Sequence, residues 1–305
     1  MMPRHDIKEA VRSMILAAGA CRVGFARAEA VGDDEMERYR SWLEAGRHGE
    51  MAYLERYDDL RRDPRALLEG AATVISIAFD YRRGTHRHPL FADYAVGDDY
   101  HDVLRKLLDP VCAGICNRFG GTTRICIDSA PIRERYWATR AGIGIIGLNG
   151  QLIVDGIGSK VFLCEIMWTG EVEPDESRTG ERCLMCGRCV RACPGKALDD
   201  RGGIDARRCR SYQTIEYRGS FPDDFKLKGR IYGCDVCQDV CPLNIEPTEP
   251  AAVDVLAADE RIMKLDLDAI ERLDSDTFRD LFRHSAVKRT KLSGLLRNAK
   301  AAHDF

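Results

Sequence analysis

The sequence predicts an α+β protein built from three segments. The N-terminal half mixes β-branched apolar runs with helical patterns, and eight of the thirteen cysteines lie between residues 183 and 241. The last fifty residues have the period of short helices. Polar stretches that contain Pro separate these parts at 171–182 and 246–254. The predicted domain boundaries are therefore 1–175, 176–246 and 247–305.

The elements of the first and third segments are predicted from their patterns. The N-terminal twenty residues form an amphipathic helix pattern, and Ala71–Tyr81 is a β-branched apolar run typical of a buried strand. Asp99–Gly120 has apolar residues at helical spacing and stops at Gly-Gly. The remaining predictions are a strand that ends at Asp128, a helix that runs into a glycine-rich turn over 133–147, a hairpin around Asp155-Gly156, and C-terminal helices over 277–287 and 291–302.

Composition and charge indicate a globular protein with no general attraction to nucleic acid or membranes. Hydrophobic residues make up 45% of the 305 residues, charged residues make up 31%, and the net charge is −3. The N-terminal helix pattern lacks the uninterrupted apolar core of a secretory signal, and no apolar run is long enough to span a bilayer. We expect a cytoplasmic monomer without a membrane segment.

The central segment carries a cysteine pattern with a specific chemical meaning. C-x2-C-x2-C-x3-C-P, from Cys183 to Pro194, is the spacing of one half of a bacterial ferredoxin. Eight thiols suit two four-iron clusters, and the fourth cysteine of such a run ligates the other cluster. The predicted ligand sets are Cys183, Cys186, Cys189 and Cys241 for one [4Fe-4S] cluster, and Cys193, Cys209, Cys234 and Cys237 for the other. Structural zinc is the alternative, but it requires neither the third cysteine of the run nor the repeated Cys-Pro ending.

Other motifs carry less information. The five cysteines outside this segment lie in apolar surroundings and are expected to be small buried hydrophobic residues. Gly142–Gly147 matches G-x-G-x-x-G, but the motif follows a helix instead of a strand, so it predicts a helix end and a turn.

Several longer stretches together carry a family resemblance. They are GDDYHDVLRKLL, IDSAPIRERYWATRAGIGIIGLN, the cysteine segment, RIYGCDVCQDVCPLN and FRHSAVKRTKLSGLLRN. In this order they resemble the epoxyqueuosine reductases, over about residues 5 to 300. The chain is similar to the short form of this family, without C-terminal HEAT-like repeats.

The resemblance implies a reaction, cofactors and partners. The family reduces the epoxide of epoxyqueuosine in the anticodon of tRNA to the alkene, which is the last step of queuosine biosynthesis. The resemblance also implies an N-terminal α/β cobalamin-binding domain, two [4Fe-4S] clusters that reduce the cobalt, and an external electron donor. The alternatives are a cobalamin-dependent reductase of another substrate, similar to a reductive dehalogenase, and a two-cluster electron carrier without catalysis.

Asp128 matches the proton donor proposed for the family. An epoxide oxygen that leaves as alkoxide needs an acid within hydrogen-bond reach. We expect the pKa of this carboxyl to be raised by desolvation against the corrin, so that it stays protonated near neutral pH. Since Asp-Ser-Ala-Pro also suits a turn from a strand into a helix, the alternative is a helix N-cap.

Further residues are implied as cobalamin contacts only by the resemblance. They are Arg61, Ala92, Asp128, Leu152, Ile153, Val154, Leu163, Ser211, Arg218, Asp235 and Val236. Without the resemblance, the residues of the strands are ordinary core and the two arginines are ordinary surface charges. His101 is expected to be a hydrogen-bonded structural residue and not a cobalt ligand. Leu148 stands where the family commonly has Lys.

Basic residues near the C-terminus offer a local surface for tRNA despite the negative net charge. From Leu281 onward there are six Lys or Arg residues and one acid, Asp304. Arg133, Arg135 and Arg140 form a second basic group close to Asp128 in the sequence. Phosphate contacts need local positive charge, so these two groups are the predicted tRNA-facing sites. The alternative for the C-terminal group is a solvated helix face.

Overall fold

A computed structural model describes residues 3–82, 87–177, 183–222, 225–245, 247 and 257–303. The strands are β1 (Arg22–Arg27), β2 (Thr73–Asp80), β3 (Thr123–Cys126), β4 (Ile145–Ile146), β5 (Leu152–Ile153) and β6 (Val161–Trp168). The helices are α1 (Arg4–Ala17), α2 (Asp33–Glu44), α3 (Asp58–Arg62), α4 (Tyr100–Phe119), α5 (Glu134–Arg140), α6 (Arg188–Ala192), α7 (Arg210–Ile215), α8 (Val236–Asp239), α9 (Pro242–Ile245), α10 (Glu260–Met263), α11 (Leu267–Glu271), α12 (Ser275–Phe282) and α13 (Lys291–Ala302). Short 3-10 helices lie at Ala52–Leu54, Pro64–Ala66, Asp93–Ala95, Ala206–Arg208 and Ala286–Thr290.

An antiparallel sheet with the strand order β1-β2-β6-β3 forms the centre of the first segment. Every residue of β2 is buried, because helices cover both faces of the sheet. Alternate residues such as Ile75 and Ile77 pack with apolar residues of α1 and α4. The intervening residues face α5, where Val74 and Trp137 share another core. The predicted α+β class and the predicted strand at 71–81 are confirmed.

The predicted hairpin around Asp155-Gly156 is wrong. β5 pairs with β4, whereas β6 lies between β2 and β3 in the main sheet. Within the described stretch 87–177, a single bridge, Val154 to Gly158, crosses the turn. The apolar side chains of β6 fill the sheet core between two strands that are distant in sequence, and this packing outweighs local pairing with β5.

The cysteine segment and the C-terminal helices pack onto the first segment. One hydrophobic core combines Leu90 and Phe91 with Ile231 and Tyr232, and adds C-terminal residues such as Phe282. The predicted linker at 246–254 and the end of the one at 171–182 lie outside the described residues, except for residue 247. The three-domain division therefore stays a prediction.

In the described ranges, no helix is both long and apolar enough to cross a membrane.

Candidate active site

The eight cysteines of the central segment surround two separate cavities. Cys183, Cys186, Cys189 and Cys241 line the first one, together with Leu148 and Asn149. The backbone amide of Leu148 donates a hydrogen bond of 3.4 Å to Cys183 Sγ. Cys241 comes from the turn between α8 and α9, so residues far apart in sequence complete this set of thiols.

The second cavity contains the other four thiols. Cys193, Cys209, Cys234 and Cys237 line a cleft of about 990 Å³. Cys193 Sγ accepts a hydrogen bond of 3.2 Å from the backbone amide of Ala197. The structure thus groups the thiols as the two predicted ligand sets do, and their role as cluster ligands stays a prediction.

The second cavity continues into a cleft in front of the sheet. A neighbouring cavity of about 730 Å³ is lined by Asp128 and Glu134, and it shares four wall residues with the cavity of the second thiol set. The shared residues are Tyr100, Gln151, Val161 and Phe162. The ring centroids of Tyr100 and Phe162 are stacked 4.2 Å apart and form an aromatic wall. One continuous cleft thus connects the second thiol set to Asp128.

Asp128 lies on a short loop between β3 and α5 in an unusual backbone conformation. Its φ is +47°, in the left-handed region that non-glycine residues rarely adopt. The backbone amide of Asp128 donates a 2.7 Å hydrogen bond to Glu134 Oε1 at the first residue of α5. Arg133 occupies the N-cap position of α5, so the alternative that Asp128 caps a helix is wrong. The carboxyl is free to face the cleft, and 60% of the Asp128 side chain is exposed.

A chain of charged groups extends from Asp128 to the protein surface. His101 Nε2 lies 3.2 Å from Asp128 Oδ2, and His101 Nδ1 lies 2.7 Å from Asp99 Oδ1. Lys288 Nζ is 2.7 Å from Asp99 Oδ2. His101 is hydrogen-bonded as predicted, but its partner is Asp128, which gives it a place in the site that sequence reasoning missed.

The charges around His101 decide where the proton lies. Desolvation lowers the pKa of His101, but its hydrogen bonds to Asp128 and Asp99 outweigh this and raise the pKa to about 9. Desolvation raises the pKa of Asp128, but the hydrogen bond and positive charge of His101 outweigh it and hold that pKa below its usual value. The predicted rise in the pKa of Asp128 depends on contact with the corrin and stays a prediction, whereas the imidazolium of His101 acts in the opposite direction. The pair holds one proton, and it lies on His101.

Two further carboxyl groups lie behind Asp128, between the sheet and α5. Burial and the negative charge of Asp128 raise the pKa of Glu134 to about 8. Glu165 on β6 is fully buried and accepts a 3.0 Å hydrogen bond from the Ser76 hydroxyl. Burial and the nearby Glu134 also raise the pKa of Glu165 well above its usual value. These acids are therefore favoured in their neutral forms near neutral pH.

The structure places the implied cobalamin contacts in different surroundings. Leu152 and Leu163 line the cleft beside Asp128, and Ser211 lines the cavity of the second thiol set. Ile153 lines the first thiol cavity instead, and Val154 is core.

Ala92 is fully buried, and its amide donates to Tyr232 O. Arg61 lies on α3, where its guanidinium is 5.9 Å from the ring centroid of Tyr39. Arg218 donates to the carbonyls of Arg289 and Thr290, so it positions that loop.

Asp235 has a structural role that its sequence position did not reveal. It is 1% exposed, and its Oδ2 accepts from the amide of Asp93 at 2.9 Å and pairs with Arg230 at 3.1 Å. Arg87 and Lys160 extend this ion network to Asp93 and Asp239. The carboxylate of Asp235 is thus committed to protein partners, although the residue borders the second thiol cavity, and the neighbouring Val236 begins α8 and is half-buried.

The two predicted basic groups differ in their accessibility. Arg133 pairs with Glu35, Arg140 pairs with Glu29, and Arg135 donates to the carbonyl of Gly150. Arg297 is bound to backbone carbonyls, including that of Gln213 at 2.8 Å, so it is structural. Lys288 and Arg289 are exposed, although Lys288 pairs with Asp99 and Arg289 pairs with Glu216 at 3.0 Å. Arg289 lies 5.5 Å from the ring centroid of Tyr53, itself 44% exposed.

Comparisons with known proteins identify the family. Residues 182–244 match the model of the 4Fe-4S double cluster binding domain, and residues 61–129 match that of epoxyqueuosine reductase QueG, DUF1730. The epoxyqueuosine reductase of Cyclobacterium marinum is 37% identical over 87% of this chain and 87% of its own length. The counterpart from Gloeobacter violaceus is 35% identical over 96% of this chain and 94% of its own.

Solved structures agree with this assignment. An epoxyqueuosine reductase bound to an epoxyqueuosine-modified tRNA-Tyr stem loop superposes with a TM-score of 0.88 at 29% identity, covering 98% of this chain and 81% of that one. An epoxyqueuosine reductase of Bacillus subtilis, solved with its catalytic aspartate loop swung out of the active site, gives a TM-score of 0.85 at 29% identity and covers 98% of this chain and 82% of that one. The chain, with its double-cluster domain and its aspartate cleft, belongs to the epoxyqueuosine reductase family of oxidoreductases.

Proposed function

We propose that this protein reduces the epoxide of epoxyqueuosine in the anticodon loop of tRNA, using two [4Fe-4S] clusters and a cobalamin. In the balanced reaction both epoxide C–O bonds break, two electrons and two protons are taken up, and the products are an alkene and water. The single observation that supports this most is the cleft that joins four thiols to the Asp128–His101 pair. An electron source and a proton source lie at its two ends.

The residues present suit these cofactors. Each four-thiol set provides the ligands of one cubane cluster. The cleft provides an aromatic and aliphatic wall from Tyr100, Phe162 and Leu152, and its polar groups include the carboxyl of Asp128 and the amide of Gln151. When bound, the clusters and the corrin would supply the electrons and the low-valent cobalt that open the epoxide.

Asp128 and His101 manage the proton in this proposal. His101 holds the proton at neutral pH, because its pKa is raised to about 9. Asp128 is the more exposed of the two, so the proton of His101 passes to Asp128 through their hydrogen bond and from Asp128 to the oxygen that leaves the ring. The second proton of the balanced reaction comes from solvent water. Glu134 holds the Asp128 loop in its inward position through the amide of Asp128.

A tRNA anticodon loop is the substrate that the surface beside the cleft suits. Lys288 and Arg289 present positive charge to phosphates, and the exposed ring of Tyr53 provides a face on which a base can stack. The target base must leave the anticodon stack to reach the cleft, as in other enzymes that modify bases. The tRNA stem loop bound by the relative has this chemistry.

Anaerobic reconstitution with iron, sulfide and cobalamin tests the proposal. We expect about eight iron atoms per chain, as two [4Fe-4S] clusters require, and a corrin absorption band. With a chemical reductant, the holoprotein should convert epoxyqueuosine in tRNA to queuosine, measured by mass spectrometry of the nucleosides. A zinc protein, or a holoprotein that leaves the modified tRNA unchanged, would contradict the proposal; the second result would favour another substrate or a plain electron carrier.

Asp128→Asn tests the assigned proton donor. We expect the turnover number to fall by at least about a hundredfold, because general acid catalysis is lost, while the cluster and corrin spectra stay unchanged. Asp102→Asn is the matched control, since Asp102 is an exposed acid at the start of the same helix, α4. Full activity of Asp128→Asn would remove this residue from the mechanism.

A further inference from the structure

The surface beside the first thiol set is unusually apolar. Leu184 and Met185, between Cys183 and Cys186, are 61% and 62% exposed, and Ile245 on α9 is 55% exposed. These are three of the seven large hydrophobic side chains that are exposed in the described part of the chain. Cys186 is also exposed, whereas each of the other seven thiols of the two sets is at least partly covered. Clustered exposed apolar side chains are typical of sites for partners.

The same surface is positively charged. The stretch from Cys183 to Leu198 contains Arg188, Arg191 and Lys196 and no acid. Arg191 donates a 3.1 Å hydrogen bond to the carbonyl of Cys186, which holds its guanidinium against the first thiol loop. No carboxylate among the described residues forms an ion pair with Arg188 or Arg191. The nearest acid in the adjoining hollow, Asp239, is neutralised by Lys160 at 2.9 Å and Arg87 at 2.7 Å.

This surface lies away from the reacting end of the molecule. The first thiol cavity shares no wall residue with the cavity of Asp128 in the described part of the chain. It shares Asn149 with the cavity of the second thiol set, and the Asn149 side-chain amide donates to the carbonyl of Cys237 at 3.4 Å. The two thiol sets and the Asp128 cleft therefore follow one another in this order. Electrons that enter at the first set would therefore reach the Asp128 cleft by way of the second set.

We infer that Leu184, Met185, Arg188, Arg191 and Ile245, here called the entry patch, form the docking surface for an acidic one-electron carrier protein. The apolar side chains would give a small, weak contact, and the two arginines would attract and orient a carrier with acidic residues around its flavin or iron–sulfur group. This inference rests on the proposed function for the need for electrons. In each encounter the carrier is oxidised by one electron and the holoprotein is reduced by one, so two encounters balance the two-electron reduction.

The test compares two double variants of the reconstituted full chain. Arg188→Glu/Ile245→Glu changes the entry patch and leaves every thiol in place. Arg272→Glu/Leu16→Glu is the matched control, because it reverses one exposed charge and replaces one exposed apolar residue elsewhere on the surface. Reduced flavodoxin serves as the acidic carrier and dithionite as the small reductant. The readout is the rate of cluster bleaching in stopped flow without tRNA, followed by turnover with modified tRNA.

We expect the entry-patch variant to be reduced by flavodoxin about tenfold more slowly than the wild type at low salt, with a weaker salt dependence. Dithionite should reduce both proteins at the same rate, and the control variant should behave like the wild type with both reductants. Equal slowing in the control, or no slowing in the entry-patch variant, would overturn the inference. Weaker tRNA binding with unchanged reduction by flavodoxin would overturn it as well, and would assign the patch to RNA.

The design separates this inference from the proposed function. If modified tRNA is never reduced, but the entry-patch variant still loses reduction by flavodoxin, the docking surface stands and the proposed substrate is wrong. If dithionite drives turnover and flavodoxin reduces both variants equally well, the proposed function stands and the docking surface is wrong.

Discussion

At the scale of single residues, the proton of the site belongs to a pair and not to one carboxyl. His101 and Asp128 are separated by 27 residues in the chain, and the contact of 3.2 Å arises only because α4 and the loop after β3 meet at the same edge of the sheet. A lone histidine in a helical pattern gave no indication of this partner. The cysteine ligands were predictable because their spacing is local, whereas the charge state of Asp128 depends on a residue that only the fold brings near.

The pH dependence of stability should report this pair. The pKa of His101 in the folded protein, about 9, exceeds the value of ~6.5 expected in an unfolded chain. Its contribution to the free energy of unfolding is therefore complete below about pH 6.5 and is lost as the pH rises through about 9. We expect the melting temperature of the wild type to fall more steeply over this window than that of His101→Gln. If the melting temperatures of the two proteins fall equally as the pH rises, the pair contributes nothing to stability.

Glu134 is expected to control the population of the inward Asp128 loop. Glu134→Ala removes the acceptor of the Asp128 amide, and the loss of one hydrogen bond worth about 1 kcal/mol would reduce the ratio of inward to outward loop about fivefold. Hydrogen exchange of residues 127–131 should accelerate, and the turnover number should fall. Glu134→Gln keeps a carbonyl acceptor and should exchange like the wild type. Equal exchange in the Ala variant would show that the loop is held by other contacts.

At the scale of elements, the ion network around Asp235 joins helix α8 to the sheet domain. Lys160, next to β6, contacts Asp93 at 2.6 Å and Asp239 at 2.9 Å, and it is 8% exposed. This network binds the carboxylate of Asp235, and a contact between Asp235 and cobalamin stays a prediction. The arginines that bind the Asp235 carboxylate are Arg87, which is 148 residues away in the chain, and Arg230, which is five residues away. No local sequence motif predicts these pairs.

Removing Lys160 should destabilise this junction. Lys160→Met leaves the buried Asp93 and the half-buried Asp239 with fewer counter-charges, and we expect a loss of about 3 kcal/mol in the free energy of unfolding. Arg65→Met is the control, because it breaks the exposed pair with Asp63 and should cost less than about 1 kcal/mol. Chemical denaturation of both variants measures the difference. Similar losses in the two would mean that the buried network contributes no more than a surface pair.

The strands illustrate which elements a sequence can predict. β2 was predictable because Thr73–Asp80 is rich in β-branched and apolar residues and is buried on both faces. The pairing of β6 was not, because its partners β2 and β3 are distant in sequence and the turn at Asp155-Gly156 has the composition of a hairpin. A sequence pattern can predict a strand, but the strands with which it pairs depend on the packing of the complete sheet.

At the scale of the whole molecule, charge is distributed unequally despite the net value of −3. Arg289, whose positive charge acts on Asp128, and Lys291, two residues further along the chain, are both exposed. We expect Arg289→Glu/Lys291→Glu to weaken tRNA binding and to reduce the slope of log affinity against log salt by about two, because each side chain would neutralise one phosphate. Arg272→Glu/Arg279→Glu, on the C-terminal helices, serves as the control. An unchanged slope in the first variant would exclude this surface from the RNA interface.

The shared core of Leu90, Phe91, Ile231, Tyr232 and Phe282 has a consequence for how the protein can be divided. Its apolar side chains come from all three predicted segments, so a cut at either linker would expose part of this core on each fragment, although the sheet keeps two cores of its own. We expect a single cooperative heat-absorption peak for the complete chain in calorimetry, and insoluble fragments when the segments are expressed apart. The segment with the thiols and the surface that faces RNA should therefore fold as one unit, because both depend on this shared core.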